Sequence, residues 1–310
     1  NKQLLSPPNE GGLGYQIFTI PNGEYLIGAD GRINPHATLG HIFNYNGKEY
    51  MVTPDNWERL GFRHGARKQY DISLTGGSEK MQYYLSLGYL NNEGIAYNSD
   101  FNRITVRAKA DYEALKWLRV GTNVNFSRTK YHSISSDDNG LFYQINNMAP
   151  IYPAFIRDGA GNIMTDENGQ MYDYGDGSLI GYARPILPNN NPLQENSLNT
   201  NSSKNNMYSF FGYADIMPIN DLKITLNGTL TSYDSRGTDA TQPFYGYSRT
   251  AYPTGFVSRS SDQTYSYNFQ QLVNYHHDFG HHHMEILLGH EFYRSRYENL
   301  FGTKTGMASY

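Results

Sequence analysis

Arg103-Ile-Thr-Val-Arg-Ala-Lys-Ala-Asp-Tyr112 and Leu222-Lys-Ile-Thr-Leu-Asn-Gly-Thr-Leu-Thr231 decide how this chain folds. In the first, Ile104, Val106, Ala108, Ala110 and Tyr112 alternate with Arg103, Thr105, Arg107, Lys109 and Asp111. In the second, Leu222, Ile224, Leu226 and Leu230 alternate with Lys223, Thr225, Asn227, Thr229 and Thr231. Successive strand side chains point to opposite faces, so each stretch is a ribbon with one apolar and one wet face. Strands of a soluble sandwich carry the same alternation but usually run about 5–6 residues. These run about ten, the length a tilted strand needs to cross a bilayer. The expectation is a transmembrane β-barrel.

The composition agrees. Only 38% of the 310 residues are hydrophobic and the mean hydropathy is -0.65. No run approaches the roughly 18 apolar residues of a transmembrane helix. A barrel escapes that test because every second residue faces the lumen and is free to be polar. The 28 Tyr suit the aromatic girdles that barrels place at both membrane interfaces. A Tyr-rich secreted glycan-binding β-protein is the soluble alternative. The net charge of -4 and the lack of a basic stripe leave no footprint for nucleic acid. With no Cys, disulfide and thiol chemistry are excluded. Asn1 to Ser6 is neither basic nor apolar, so a signal has been removed or the chain is an internal piece.

Residues 1–66 are rich in Gly, Pro and Asn, with turn signals at Pro21-Asn-Gly23 and Asp30-Gly31. They read as an extracellular loop region with small hairpins. Residues 67–310 read as a partial barrel whose alternation comes in pairs. Tyr70, Ile72 and Leu74 face Met81, Tyr83, Leu85, Leu87 and Tyr89 across a tight turn at 76–80. Three further pairs follow, at 103–112 with 120–129, 208–217 with 222–231, and 264–278 with 284–296. Eight antiparallel strands thus alternate tight turns (near 78, 115, 220 and 280) with longer loops (91–102, 130–203 and 235–262). Short turns on one side and long loops on the other are the signature of an outer-membrane barrel. A sandwich has no reason to segregate loop lengths.

Taken together, Asp71-Ile-Ser-Leu-Thr-Gly-Gly-Ser-Glu-Lys80 and Tyr83-Tyr-Leu-Ser-Leu-Gly-Tyr-Leu-Asn-Asn-Glu-Gly-Ile95 resemble the mid-barrel of SusC/RagA-type TonB-dependent outer-membrane transporters. So do Asn98-Ser-Asp-Phe-Asn-Arg103, Trp117-Leu-Arg-Val-Gly121 and Gly212-Tyr-Ala-Asp-Ile216. Phe269-Gln-Gln-Leu-Val-Asn-Tyr275 and Leu287-Leu-Gly-His-Glu291 continue the match, in order, across roughly 220 residues. Asp30-Gly-Arg-Ile-Asn-Pro35 and Pro54-Asp-Asn-Trp57 look like the family's extracellular lead-in. The resemblance implies an all-β fold, about eight strands of a larger, 22-stranded barrel in a Gram-negative, Bacteroidetes-like outer membrane. It also implies a plug, energy from TonB, and a SusD-like surface lipoprotein that helps capture glycans or peptides. Neither a plug nor a TonB box is found here, so the chain reads as the middle of a transporter.

Candidate sites are few. His276, His277, His281, His282, His283 and His290 cluster late in the chain. A metal needs ligands converging on one point, whereas neighbouring strand residues point to opposite faces; a polar turn is the preferred reading and no metal or cofactor is assigned. Asp158-Gly-Ala-Gly-Asn162 and Asp166-Glu-Asn-Gly169 superficially match calcium loops but lack the EF-hand pattern, and Asp, Asn and Gly in such runs make turns. Asp137-Asp138 has no nucleophile or base beside it, so no catalysis is expected. Arg103, Arg107, Lys109, Asp111, Lys223 and Glu285 are expected to face the lumen or the plug. The long loops hold Tyr143, Tyr152, Phe155, Tyr172, Tyr174, Tyr182, Phe244, Tyr245, Tyr247 and Tyr252. Flat rings suit the apolar faces of sugars, and Tyr143, Tyr152, Tyr172, Tyr174, Tyr182, Tyr245 and Tyr247 are the candidate substrate contacts. The same rings equally serve to pack the loops on themselves.

The functional expectation is import of an oligosaccharide or peptide across the outer membrane, among outer-membrane lipid, with TonB and a SusD-like lipoprotein as partners. A passive porin and a soluble glycan-binding protein are the alternatives.

Overall fold

The computed structural model describes residues 16–134, 140–167, 169–178, 183–243 and 253–306. Eight strands make one sheet: β1 Arg67–Gly77, β2 Met81–Glu93, β3 Asp100–Leu115, β4 Leu118–His132, β5 Thr200–Ile219, β6 Leu222–Thr241, β7 Phe256–Phe279 and β8 His282–Thr305. They lie in chain order and every neighbouring pair is antiparallel. This is the fold class the alternation predicts.

Strand length is the correction. The strands run from 11 residues in β1 to 24 in β7 and β8, and the loops expected at 130–203 and 235–262 shrink to 133–199 and 242–255. The added strand is polar: Thr200 to Asn206, Asp234 to Thr241 and Phe256 to Gln263 carry no apolar alternation. Where both faces of a sheet are wet, the period-2 signal vanishes although the ladder continues. Turns at 78–80, 116–117, 220–221 and 280–281 close one end, and segments 94–99, 133–199 and 242–255 leave the other.

Directly opposed residues share a face, so the register assigns faces throughout the sheet. Leu85, Ile104, Val106, Ile224 and Leu226 all fall on one side. On that side the apolar spans are Met81–Tyr89, Ile104–Tyr112, Leu118–Phe126, Tyr208–Ile216, Leu222–Leu230, Tyr267–Tyr275 and Met284–Phe292, each nine residues long. Seven of their fourteen end residues are Tyr or Phe, five at the loop end (Tyr89, Phe126, Tyr208, Tyr267 and Phe292) and two at the turn end (Tyr112 and Tyr275), so an aromatic girdle marks the loop-end interface. The face lies open: Ile72 is 72% exposed and Leu288 64%.

The spans do not sit on common rungs. The rung of Phe292 runs back through Phe269, Gly228, Gly212, Thr122 and Ala110 to Tyr83, three rungs below Tyr89. Both edges of the apolar band move by three rungs between β2 and β8. Three rungs are about 20 Å of strand and six strand spacings about 29 Å, so the strands incline by roughly 35° to the band. That is the tilt of a transmembrane barrel, about 35–45°.

The hydrophobic core lies outside this wall. Ile17, Val52, Trp57, Ala96, Leu141, Ile145, Met148, Tyr152, Ala154 and Phe155 form one buried cluster, and none belongs to β1–β8. It joins the 16–66 segment, with a hairpin of His41–Tyr45 and Lys48–Val52 and helix α1 Trp57–Gly61, to the 133–199 segment with α2 Leu141–Asn147 and α3 Pro192–Leu198. The two regions, separate in sequence, fold as one unit at the loop end of the wall.

Candidate functional site

The loop unit is stitched by side chains that each satisfy buried backbone. Asn191, fully buried, caps α3 by accepting from the amides of Leu193 and Gln194 and donates to the carbonyls of Ala154 and Asp173 at 2.9 and 3.0 Å. Trp57 donates its indole N–H to the Tyr152 carbonyl at 2.9 Å. The Arg184 side chain is wholly buried. It donates to the Leu187 and Asn190 carbonyls, and its guanidinium lies 5.5 Å from the Tyr152 ring centre and 5.9 Å from that of Trp57. Two aromatic faces thus cover a charge that water cannot reach. Burial raises the Tyr152 phenol pKa, with the Arg184 charge and a bond from Ile186 acting against it.

This geometry sorts the aromatic candidates. Tyr152 has no exposed surface and is a core residue, so it offers no face to a substrate. The adjacent Phe155 is likewise buried, its ring 5.2 Å from that of Tyr172. Tyr172 is half-buried and its phenol pKa is raised by burial, a bond to Ser197 opposing. Tyr174 donates its hydroxyl to Gln194. Tyr143, on α2, is 46% exposed. Tyr182, Tyr245 and Tyr247, with Phe244 and Tyr252, lie outside the described residues.

A groove of about 280 Å³ opens beside Tyr172, lined by Leu60, Tyr97, Asn98, Phe155, Leu193 and Asn196 among others. Tyr97 is 45% exposed and the Arg63 guanidinium stands 5.4 Å from its ring. Asn98 donates to the Asn196 carbonyl, and Asn196 returns a bond to the Tyr97 carbonyl at 2.8 Å. Rings beside amides can cover an apolar ligand face and bond its polar edge. Tyr97 and Asn196 escape the sequence reading because they sit 99 residues apart, in two segments that only the fold brings together.

The wall's other face is polar. Arg103, Arg107, Lys109, Asp111, Lys223 and Glu285 all fall on it by register, as the alternation predicts. Asp111 accepts from the Tyr213 hydroxyl at 2.5 Å and pairs with Lys109 at 3.1 Å. Gly121 stands between Asp111 and Tyr213 on their rung, and its missing side chain leaves room for the ring to cross. Asp215 accepts from Thr225 at 2.6 Å and pairs with Lys223 at 2.9 Å.

The histidines disperse. His276 shares the polar face with Glu285 and His277 the apolar face with Met284, while His277 pairs with Asp221, His283 with Asp278 and His290 with Gln271. Among the described residues no three His, Asp or Glu converge as a metal site. Asp158 builds a turn: Oδ1 accepts from the amides of Ala160 and Asn162 at 3.0 and 2.8 Å. Those bonds, with the backbone of Asn162 foremost, hold its carboxyl below the ordinary range.

No family model matches the chain. TonB-dependent receptor P26 of Formosa agariphila is 27% identical over 226 residues, 71% of this chain and 20% of that protein. TonB-dependent receptor P39 of the same organism is 26% identical over 152 residues, 49% of this chain and 12% of that protein. The RagAB peptide importer shares the fold. In its "closed-closed" state the TM-score is 0.64 at 22% identity, covering 83% of this chain and 27% of that one; in its "open-open" state it is 0.63, covering 87% and 28%. These similarities bear out the resemblance read from the sequence. The chain spans a fifth or less of the length of these curated relatives.

Proposed function

We propose that this chain is a stretch of barrel wall, with its outer loop unit, from a TonB-dependent transporter in the outer membrane of a Bacteroidetes-like Gram-negative bacterium. The carrying observation is the nine-residue apolar span, repeated on seven strands and shifted rung by rung as a tilted barrel requires. A soluble sandwich would bury that face against a second sheet. The cargo is a peptide or an oligosaccharide, taken with a SusD-like surface lipoprotein. The loop unit is the outward surface such a lid would meet, and the groove at Tyr97 and Tyr172 offers rings and amides suited to either cargo. The similarity to a peptide importer tilts the reading toward peptide. We assign no catalytic step.

Uptake of labelled peptide and oligosaccharide pools by cells carrying the full-length receptor, with and without TonB, tests this. Uptake should require TonB and should fall when Tyr97→Ala and Tyr172→Ala are combined. Persistence without TonB would leave a passive pore instead. The lipoprotein assignment is checked by co-purification from the same cells.

A further inference from the structure

Above the apolar band, the outward face of the wall carries a row of cations that make no ion pair among the described residues. Lys130, Lys204 and Arg236 occupy a single rung on the adjacent strands β4, β5 and β6, and the register places them on the face that holds Phe126, Tyr208 and Leu230. Arg259 of β7 stands one rung higher. All four are exposed, and among the described residues none forms an ion pair. The nearest carboxylates on this face are Asp100, bonded to His132 at 2.8 Å, Glu298, paired with Arg296, and Asp234, one rung below Arg236 and bonded to Gln263 at 2.7 Å, so at most one acid stands beside four cations. Like charges directly opposed on neighbouring strands destabilise a sheet. Three in a row call for a counter-charge from outside.

Height identifies its source. Lys130 lies four residues beyond Phe126, Arg236 six beyond Leu230, and Arg259 eight before Tyr267. With the strand tilt, that places the cations roughly 11 to 22 Å above the band. An ordinary phospholipid headgroup layer is only about 5–8 Å thick, so the charges reach well past it. The same residues, with the hydroxyls of Ser202 and Thr238 and the apolar Leu300, line an open groove of about 740 Å³. Cations and hydroxyls together suit a phosphorylated sugar.

We propose that Lys130, Lys204, Arg236 and Arg259 form an outward-facing site for the phosphorylated saccharide headgroup of an outer-leaflet glycolipid. The site rests on the barrel reading, because only in that reading does this face meet lipid. It lies on the opposite side of the wall from the lumen, so a bound glycolipid would brace the barrel without entering the cargo path.

The test uses the full-length receptor in detergent, with a rough lipopolysaccharide phosphorylated on both its lipid and its inner-core sugars as the probe and retention read by native mass spectrometry. Lys130→Gln, Lys204→Gln and Arg236→Gln combined should lower retention at least tenfold and up to about a hundredfold, while Lys130→Arg, Lys204→Arg and Arg236→Lys combined should preserve it within about twofold. The dephosphorylated glycolipid should be held by the parent receptor as weakly as the glutamine variant holds the phosphorylated one. Equal retention of the dephosphorylated form, or no loss in the glutamine variant, overturns the site. So does phosphatidylglycerol competing equally at matched charge, or displacement by inorganic phosphate at matched concentration, which would mark a general anion patch. Heat-modifiable mobility and outer-membrane fractionation are scored on the same samples. A receptor that inserts normally but ignores the glycolipid sinks this proposal alone, whereas one that never enters the membrane sinks the barrel reading.

Discussion

Arg157 grips Asp55 with both terminal nitrogens, Nη1 to Oδ2 at 2.9 Å and Nη2 to Oδ1 at 2.6 Å, across 102 residues of sequence. The same Oδ2 accepts from the Ala154 amide at 2.7 Å, and both side chains are nearly buried, 11% and 12% exposed. The pair therefore locks the segment before α1 to the strand-like run at 154–157. Asp55→Ala strands a buried guanidinium and should destabilise the loop unit by about 3 kcal/mol. Asp55→Ala with Arg157→Ala should cost less than the two single changes added together, because neither charge is then left alone. Hydrogen exchange at Ala154 to Arg157 in the intact receptor reads the effect, and exchange in β2 to β7 should stay unchanged. Equal loosening of the wall would show that the two parts are not separable.

Arg184 is the second tie, and its forked guanidinium is what the site uses. Nη1 makes no hydrogen bond among the described residues and has Asp173 Oδ2 only at 4.0 Å, so the bonds from Nε and Nη2 to the Leu187 and Asn190 carbonyls and the cation–π contacts with Trp57 and Tyr152 carry its stabilisation. Lysine keeps the charge but cannot donate in a fork to both the Leu187 and Asn190 carbonyls. Arg184→Lys should therefore cost nearly as much as Arg184→Met, about 2–4 kcal/mol in each case. Tryptophan fluorescence reports it, since the unit holds Trp57. A silent Arg184→Lys would mean that charge alone suffices.

The wall was legible because lipid enforces it. In the seven nine-residue spans the lipid-side positions are apolar or small apart from Thr122, Gln271 and His290, the last two bonded to each other, so the alternation in Ile104 to Tyr112 and Leu222 to Leu230 is sharp enough to read by eye. Beyond the bilayer that constraint lapses, and Thr200 to Asn206 is strand without looking like one. The loop unit was illegible for a different reason: its core is assembled from partners such as Trp57 and Tyr152, 95 residues apart, with no periodicity to announce them. Tyr152 accordingly reads as a wet aromatic and folds as a buried one. The 41–52 hairpin did carry a local signal, Asn46-Gly47 at its turn, both at positive φ, which is the strongest short hairpin pattern a sequence offers.

Asp158 gives the loop unit a pH-dependent turn. Its carboxyl pKa is lowered from the ordinary 3.8, first by the Asn162 backbone N–H and then by the Asn162 side chain. A depressed folded-state value means the contribution is fully present above the unfolded pKa and is lost as pH falls through the folded one, below 3.8. Exchange protection at the Ala160 and Asn162 amides should therefore hold down to about pH 4 and then drop. Asp158→Asn should abolish that step. A step that survives in the variant belongs to another group.

The two faces of β6 offer the sharpest check of the membrane assignment, because Leu226 and Asn227 are neighbours with opposite surroundings. Leu226 is the middle residue of the span Leu222–Leu230, beside Ala214 and Gln271 on the apolar side. Asn227 sits on the polar side between Tyr213 and Gln270. An arginine at the bilayer midplane costs about 2–4 kcal/mol, and the penalty fades to about 0–1 kcal/mol near the interfaces. Leu226→Arg should lower the stability of the full-length receptor in bilayers by that larger amount, and Leu230→Arg, at the band's edge, by about 1 kcal/mol. Asn227→Arg, facing a water-filled lumen or a polar plug, should stay within about 1 kcal/mol of the parent. Urea titration in lipid vesicles ranks the three. The order Leu226, Leu230, Asn227 follows from depth and face alone; a ranking with Asn227→Arg worst would put the lipid on the other side of the sheet, and with it every inside-and-outside assignment of this wall.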